Sequence, residues 1–140
     1  NSENGLAFVL AHEIAHVLSR HSALRITRDK VINTSEILAS SAIILINPLL
    51  LVPFIMSFES VSKHAVQIPR YKYEENEADI IALHILRASK YELKEAMIFW
   101  DNMHRIKTSR ISSTHDTYLQ RKNNIQREIK NINKHQKRLI

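Results

Sequence analysis

The stretch LAHEIAHVLSRH, residues 10–21, contains two histidines with the spacing of metal ligands. Residues four apart lie one turn above each other on a helix, so His12 and His16 can point at one ion. Glu13 lies about 100° further round the helix, beside the ion rather than on it. This HExxH arrangement is typical of a zinc site in which the glutamate deprotonates a water for peptide-bond hydrolysis. The alternative is a helix that carries two exposed histidines.

A catalytic zinc requires three protein ligands and one open position, so a third ligand must come from elsewhere. The chain has no cysteine, which leaves His, Asp or Glu. Acidic residues cluster once, in YEENEADIIALHIL at residues 73–86. On a helix Glu75 can reach the metal, and Asp79, one turn on, can accept the free ring N–H of a ligand histidine. Glu74 and Glu77 point elsewhere and are expected in solvent. The alternative is an acidic helix start that favours the helix dipole.

Composition predicts that helices must position these residues. The 140 residues suffice for one domain with a modest core. One glycine and three prolines leave few tight turns, which strand-rich folds require. Residues 20–30 are expected as a helix end and a polar surface loop, and Trp100 is expected in the core. Apolar periodicity predicts four helices, over residues 4–21, 74–89, 92–106 and 116–138.

The segment ILASSAIILINPLLLVPFIMSF, residues 37–58, carries no charge. Its length could just span a bilayer core of about 30 Å as one helix. Pro48 and Pro53 interrupt it, and each half is too short to cross alone. A single crossing would also separate the two histidines, which precede the segment, from the acidic cluster, which follows it. We therefore expect an apolar helical hairpin in or against a membrane, with packing inside the protein as the alternative.

The net charge of +6 is partly concentrated in the tail RKNNIQREIKNINKHQKR, residues 121–138. Such a tail could bind anionic lipid or nucleic acid. No aromatic residues alternate with its charges to stack on bases. Ile125, Ile129 and Ile132 form an inward-facing stripe, which makes the cations the solvated face of a helix. No nucleic-acid partner is predicted.

The stretches HEIAH, EENEAD and STH, taken together, resemble a known family. Their order is HExxH, then ExxxD on a later helix, then a Ser/Thr-His loop followed by an arginine. That order is similar to the gluzincin metallopeptidases that include HtpX and the CAAX prenyl endopeptidases. The apolar insert and IFWDNM, residues 98–103, look most like the mitochondrial inner-membrane Oma branch, whose activity overlaps with that of the m-AAA protease. The pattern covers nearly the whole chain.

The resemblance implies a role for each residue of these motifs. It implies one Zn²⁺ per chain, held by three ligands: His12, His16 and Glu75. It makes Glu13 the catalytic base and Asp79 a support for the ligands. It places His115 near the zinc, where it stabilises the oxyanion or masks the metal before substrate arrives. It also implies that Arg121 supports the site.

The chain departs from the family pattern at two positions. Asp116 stands where the family has proline after the loop histidine, and Lys72 stands where the family usually has arginine. Lysine cannot reproduce a bidentate contact. A catalytically degenerate zinc-binding scaffold is therefore one alternative to an active peptidase. A basic helical protein that binds membranes or nucleic acid, with incidental histidines, is another.

The resemblance further implies a zincin-like, mainly α-helical core and a membrane-associated zinc metalloendopeptidase. Its location would be the mitochondrial inner membrane, with a bacterial membrane as the alternative. Its partners would be membrane lipid and protein substrates, above all misfolded or stress-exposed membrane proteins, and it could form homo-oligomers. Residues 1–140 are expected to form a single peptidase domain, the C-terminal part of a larger protein. Zincins hold substrate against an edge strand, and such strands are expected upstream of Asn1.

Overall fold

A computed structural model of the protein describes residues 3–107 and 115–137. Within these ranges the chain forms helices and no strand, which confirms the prediction of a mainly α-helical fold. A short 3-10 turn, Pro48–Leu50, joins the second and third helices, and a π-helical stretch, Ser62–Gln67, joins the third and fourth. The α-helices are α1 (Glu3–Leu18), α2 (His21–Ile46), α3 (Leu51–Val61), α4 (Ile68–Ala88), α5 (Lys94–Lys107) and α6 (His115–Lys137).

The chain divides into two compact units. Residues 1–19 and 74–140 form the first, here called the site unit, because every candidate metal ligand belongs to it. Residues 20–73 form the second, here called the hairpin unit. This division does not test whether residues 1–140 form the single peptidase domain that the sequence predicts, which stays a prediction.

The core of the site unit draws on all four of its helices. Helix α1 packs against α5, and α5 packs against α6. Ile125 is fully buried, and Ile129 and Ile132 pack against the same core, which confirms the inward-facing stripe of α6. Trp100 also packs against this core and is partly buried. The buried members of the core are Phe8, Ala11, Ala82, Leu83, Leu86, Leu93, Ala96 and Ile125.

The buried face of α1 consists largely of small side chains. Ala11 and Ala15 are at most 2% exposed, whereas Leu10 is 55% and Val17 76% exposed. The distance between packed helices depends on the side chains at their contact, so alanines permit a close approach. The histidines of α1 can reach carboxylates on another helix only if the two helices lie close together.

The loop predicted over residues 20–30 is wrong, because α2 begins at His21. Only Arg20, with a φ of 54°, lies in the left-handed region between α1 and α2. No glycine or proline follows until Pro48, and helix formation propagates easily once it is nucleated. Lys90, with a φ of 63°, ends α4 in the same way. In a chain with one glycine, cationic residues take the left-handed positions at these two helix ends.

In the hairpin unit, α2 and α3 pack against each other on either side of the 3-10 turn. Asn47 caps that turn, since its Oδ1 accepts a hydrogen bond of 3.1 Å from the backbone N–H of Leu49. The apolar side chains around the turn point outward: Leu45 is 87% and Leu49 84% exposed. By length and composition, one helical stretch of the described chain, Pro48–Ala88, could cross a membrane.

Truncation of Leu83 tests the packing of the core in the site unit. Its side chain is fully buried, so Leu83→Ala is expected to lower the free energy of unfolding by about 2–5 kcal/mol. The matched control is Leu119→Ala on α6, because Leu119 is 50% exposed and its truncation should change that free energy by less than about 0.5 kcal/mol. Urea denaturation of both variants measures the difference. Equal losses in the two variants would contradict this core.

Candidate metal centre

Three candidate ligands converge between α1 and α4. The Nε2 atoms of His12 and His16 lie 3.1 Å apart, as expected for two histidines on successive turns of one helix. Glu75 presents Oε2 at 3.6 Å from Nε2 of His12 and Oε1 at 3.5 Å from Nε2 of His16. One donor atom from each of the three residues can be chosen so that all lie within 4.8 Å of one another. The arrangement can therefore hold one metal ion.

Asp79, one turn beyond Glu75 on α4, stands behind the first histidine. Its side chain is fully buried, and its Oδ1 lies 3.1 Å from Nδ1 of His12. The approach is close but bent, because Nδ1 lacks the alignment of a full hydrogen bond. This contact turns the opposite ring nitrogen, Nε2, towards the other ligands. A carboxylate in this position fixes the ring and increases its basicity as a ligand.

Arg121 on α6 connects the two carboxylates. Its Nε donates to Oδ2 of Asp79 at 2.7 Å, and its Nη2 donates to Oδ1 at 2.9 Å. Its Nη1 lies 3.1 Å from Oε2 of Glu75. This two-pronged geometry suits a guanidinium and cannot be reproduced by an ammonium group. The arginine implied to support the site therefore lies where it can orient both carboxylates.

Helix α6 is held in this register by contacts on either side of Arg121. One turn further, Asn124 donates a hydrogen bond of 2.6 Å from Nδ2 to Oδ1 of Asn76 on α4. On the α5 side, Tyr118 donates to Oδ1 of Asp101 at 3.1 Å, and Lys122 also pairs with Asp101. These polar contacts link α6 to both neighbouring helices within one turn of the arginine.

Charge pairing shifts the proton affinities of two of the candidate ligands. Burial alone would lower the pKa of His12, but the carboxylates of Asp79 and Glu75 outweigh it and raise that pKa to about 9. Contact with His12, aided by the positive charge of Arg121, outweighs burial and lowers the pKa of Glu75 to about 2. At neutral pH the metal-free centre thus holds an ionised Glu75 beside a protonated His12. A metal ion that binds His12 must displace this proton.

The remaining motif residues are placed as follows. Glu13 is on α1 and exposed. His115 begins α6, but its side chain and that of Asp116 lie outside the described residues. Lys72 is exposed. The expectation that Glu74 lies in solvent is wrong, because its side chain is 5% exposed, one turn before the buried Ala78 on the same face of α4.

The chain is similar to known proteins over most of its length. The model of "Peptidase family M48" matches residues 1–129. The chain belongs to peptidase family M48. A similar protein is the mitochondrial metalloendopeptidase OMA1 of Schizosaccharomyces pombe, with 32% identity over 101 residues. That match covers 72% of this chain and 28% of OMA1, so the chain spans little more than a quarter of the relative's length. No solved structure matches the chain.

Membership of peptidase family M48 and the similarity to OMA1 confirm the resemblance to this metallopeptidase family and to its Oma branch. Trp100, predicted only as a core residue, also contacts the centre. The Trp100 ring lies under Arg121, with Cζ 4.4 Å from the ring centroid. Spacing offers no signal for this contact, because the two residues lie on different helices, Trp100 on α5 and Arg121 on α6.

Both pKa shifts predict how pH affects the stability of the metal-free protein. The raised pKa of His12 adds stability that is complete below about pH 6.5 and is lost as pH rises through 9. The lowered pKa of Glu75 adds stability that is complete above about pH 4.5 and is lost as pH falls through 2. Thermal unfolding in chelator should therefore show the highest Tm between about pH 4.5 and 6.5.

The decline above pH 6.5 should be reduced in His12→Gln, which cannot carry the proton. The matched control is His84→Gln, since His84 is an exposed histidine of α4 that pairs with Glu128 away from the centre. This control should keep the wild-type slope. An unchanged slope in His12→Gln would contradict the assignment of the proton to His12.

Proposed function

We propose that this chain carries the catalytic centre of a membrane-associated zinc metalloendopeptidase. The observation that carries the proposal is the spacing of the donor atoms of His12, His16 and Glu75. Ligands at 2.0–2.2 Å from a tetrahedral zinc lie roughly 3.3–3.6 Å from one another. The two histidine nitrogens lie 3.1 Å apart, and each lies 3.5–3.6 Å from one of the two oxygens of Glu75. One donor atom from each residue lies within 4.8 Å of the other two, a spacing that a bound ion would tighten only slightly. Two histidines and one glutamate are also a recurrent ligand set of catalytic zinc, which leaves one coordination position open.

Zinc in this set would supply the Lewis acidity that polarises a peptide carbonyl and makes water acidic. The residues of the chain perform the proton transfers. Glu13 takes the proton of the attacking water and passes it to the leaving amine. Asp79 holds His12 in one ring orientation, and Arg121 holds Asp79. We also propose that His115 stabilises the oxyanion of the tetrahedral intermediate.

The apolar turn of the hairpin unit supports a membrane location. The ten residues Ile37–Ile46 of α2 would extend about 15 Å as a helix, half the thickness of a bilayer core. The chain then returns through α3, so the hairpin would enter one leaflet and leave it again. Glu36 and Glu59 bracket the uncharged segment and would remain in water. A shallow insertion of this kind needs no second crossing and keeps all ligands on one side.

The substrates and the compartment follow from the same proposal. An endopeptidase anchored at a bilayer surface meets membrane proteins whose segments have become exposed, so we propose misfolded or stress-exposed membrane proteins as substrates. The similar OMA1 is mitochondrial, which supports the mitochondrial inner membrane as the location. The second candidate is a zinc-binding scaffold without catalysis, favoured by the exposed lysine at position 72 in place of the family's arginine.

Glu13→Gln tests the catalytic proposal. The variant should keep one zinc and lose cleavage of an unfolded protein by roughly 10²–10⁴-fold, because the base is lost and the ligands remain. Glu75→Ala should instead weaken zinc binding. The matched control is Glu92→Gln, an exposed glutamate outside the centre that should retain wild-type activity.

Zinc content and cleavage are measured together, with a chelated sample beside them. Wild-type activity in Glu13→Gln would refute its role as the base. Zinc without cleavage in the wild type would favour the scaffold.

Leu45 and Leu49 test the membrane proposal, because both are almost fully exposed and can be changed without disturbing a core. Lysine at both positions should abolish flotation with phospholipid vesicles, since lysine is costly in hydrocarbon. The matched control places lysines at Asn33 and Ser35, which are exposed on α2 outside the apolar segment. The control should float like the wild type. Continued flotation of the Leu45/Leu49 variant would locate the membrane contact elsewhere.

A further inference from the structure

The guanidinium of Arg121 contacts carboxylates through all three of its nitrogens and an aromatic ring through one of its faces. All three of its nitrogens approach carboxylate oxygens, two at Asp79 and one at Glu75. Its Cζ lies 4.4 Å from the centre of the Trp100 ring, inside the range of a cation–π contact. The side chain is only 16% exposed. Carboxylates therefore fix the rim of the guanidinium, and one aromatic ring fixes its plane.

The orientation of the guanidinium plane affects how the metal ligands are arranged. A guanidinium that tilted about the Asp79 pair would carry Nη1 away from Glu75 or push it between Glu75 and the histidines. Metal binding also brings a divalent cation close to a positively charged arginine, which favours displacement of the arginine. The negative face of an aromatic ring opposes that displacement, because it attracts the cation to one side. Tryptophan has the strongest such face among the aromatic residues.

We propose that Trp100 is a positioning residue of the metal centre, whose ring face holds Arg121 in the orientation that fixes Asp79 and Glu75. This inference rests on the proposed function, because it assigns Trp100 a role in keeping the zinc ligands arranged. In this role Trp100 acts through Arg121, whose guanidinium lies over its ring.

The contacts of the indole distinguish between two of its properties, the N–H donor and the ring face. Its Nε1 is buried and has no hydrogen-bond partner among the described residues. Within the described part of the chain, the N–H thus contributes nothing to holding the ring. Tyr118 packs against the ring, with centroids 5.5 Å apart and planes inclined at 49°. Its hydroxyl shares its proton between Asp101, at 3.1 Å, and the carbonyl oxygen of Trp100, at 3.4 Å. The ring is held by packing, and its face is what Arg121 contacts.

Zinc affinity, measured by competition with a chelating indicator, tests the proposal without relying on activity. Trp100→Leu keeps apolar volume and removes the ring face, so zinc affinity should fall roughly tenfold, the size typical of lost support behind a metal ligand. Trp100→Phe loses the N–H and one of the two fused rings but keeps an aromatic face, so its affinity should stay within about threefold of the wild type.

A matched control separates positioning from packing. Phe99→Leu makes a similar change at the neighbouring residue of α5, which packs on Phe8 with centroids 5.7 Å apart. Both leucine variants should lower the Tm of the metal-free protein. Only Trp100→Leu should lower zinc affinity by more than about threefold. Equal losses of affinity in the two variants would overturn the proposal, as would a Trp100→Phe variant as weak as Trp100→Leu.

A double-mutant cycle tests the route through Arg121. In an Arg121→Lys background, where the planar fork is already lost, Trp100→Leu should weaken zinc binding by less than about twofold. A further tenfold loss would overturn the proposed route. If the wild type binds zinc and Trp100→Leu matches it, the inference fails and the proposed function stands. If the wild type binds no zinc, both fail.

Discussion

A buried negative charge that must be paired governs the arrangement of this metal centre. Asp79 is fully enclosed, and an ionised carboxylate in that position is costly unless charge and hydrogen bonds compensate it. Arg121 provides both through its two-pronged contact, so α6 must lie where its arginine reaches α4. Oδ1 of the same carboxylate also lies 3.1 Å from Nδ1 of His12. The positions of three helices therefore follow from the pairing of one side chain.

The same constraint explains why a proton and a metal ion compete in this centre. With no metal, protonated His12 lies between Asp79 and Glu75 and partly neutralises them. A metal ion would take over that function with two charges instead of one. Arg121 stays in contact with both carboxylates and keeps them apart. Much of the arrangement is therefore present before any metal binds, which reduces the reorganisation that binding requires.

Local regularity made much of this centre predictable from sequence. His12 and His16 follow from helical spacing, as does the convergence of Glu75 and Asp79 on one face of α4. Prediction failed where the outcome depended on tertiary packing. Helix α2 runs through the polar segment for which a loop is predicted, and Glu74, predicted in solvent, is buried. The stacking of Trp100 under Arg121 depends on how α5 meets α6, which no spacing encodes.

The two halves of the ligand set lie far apart along the chain, with His16 in α1 and Glu75 in α4. An ion bound to both would therefore act as a cross-link that closes residues 17–74 into a loop. Closing a loop of that length removes freedom mainly from the unfolded chain, an effect on the order of 4 kcal/mol in the chain-entropy model. The length of the enclosed segment changes that effect only slowly. The whole hairpin unit could thus be lengthened or shortened with little consequence for the entropy of closure.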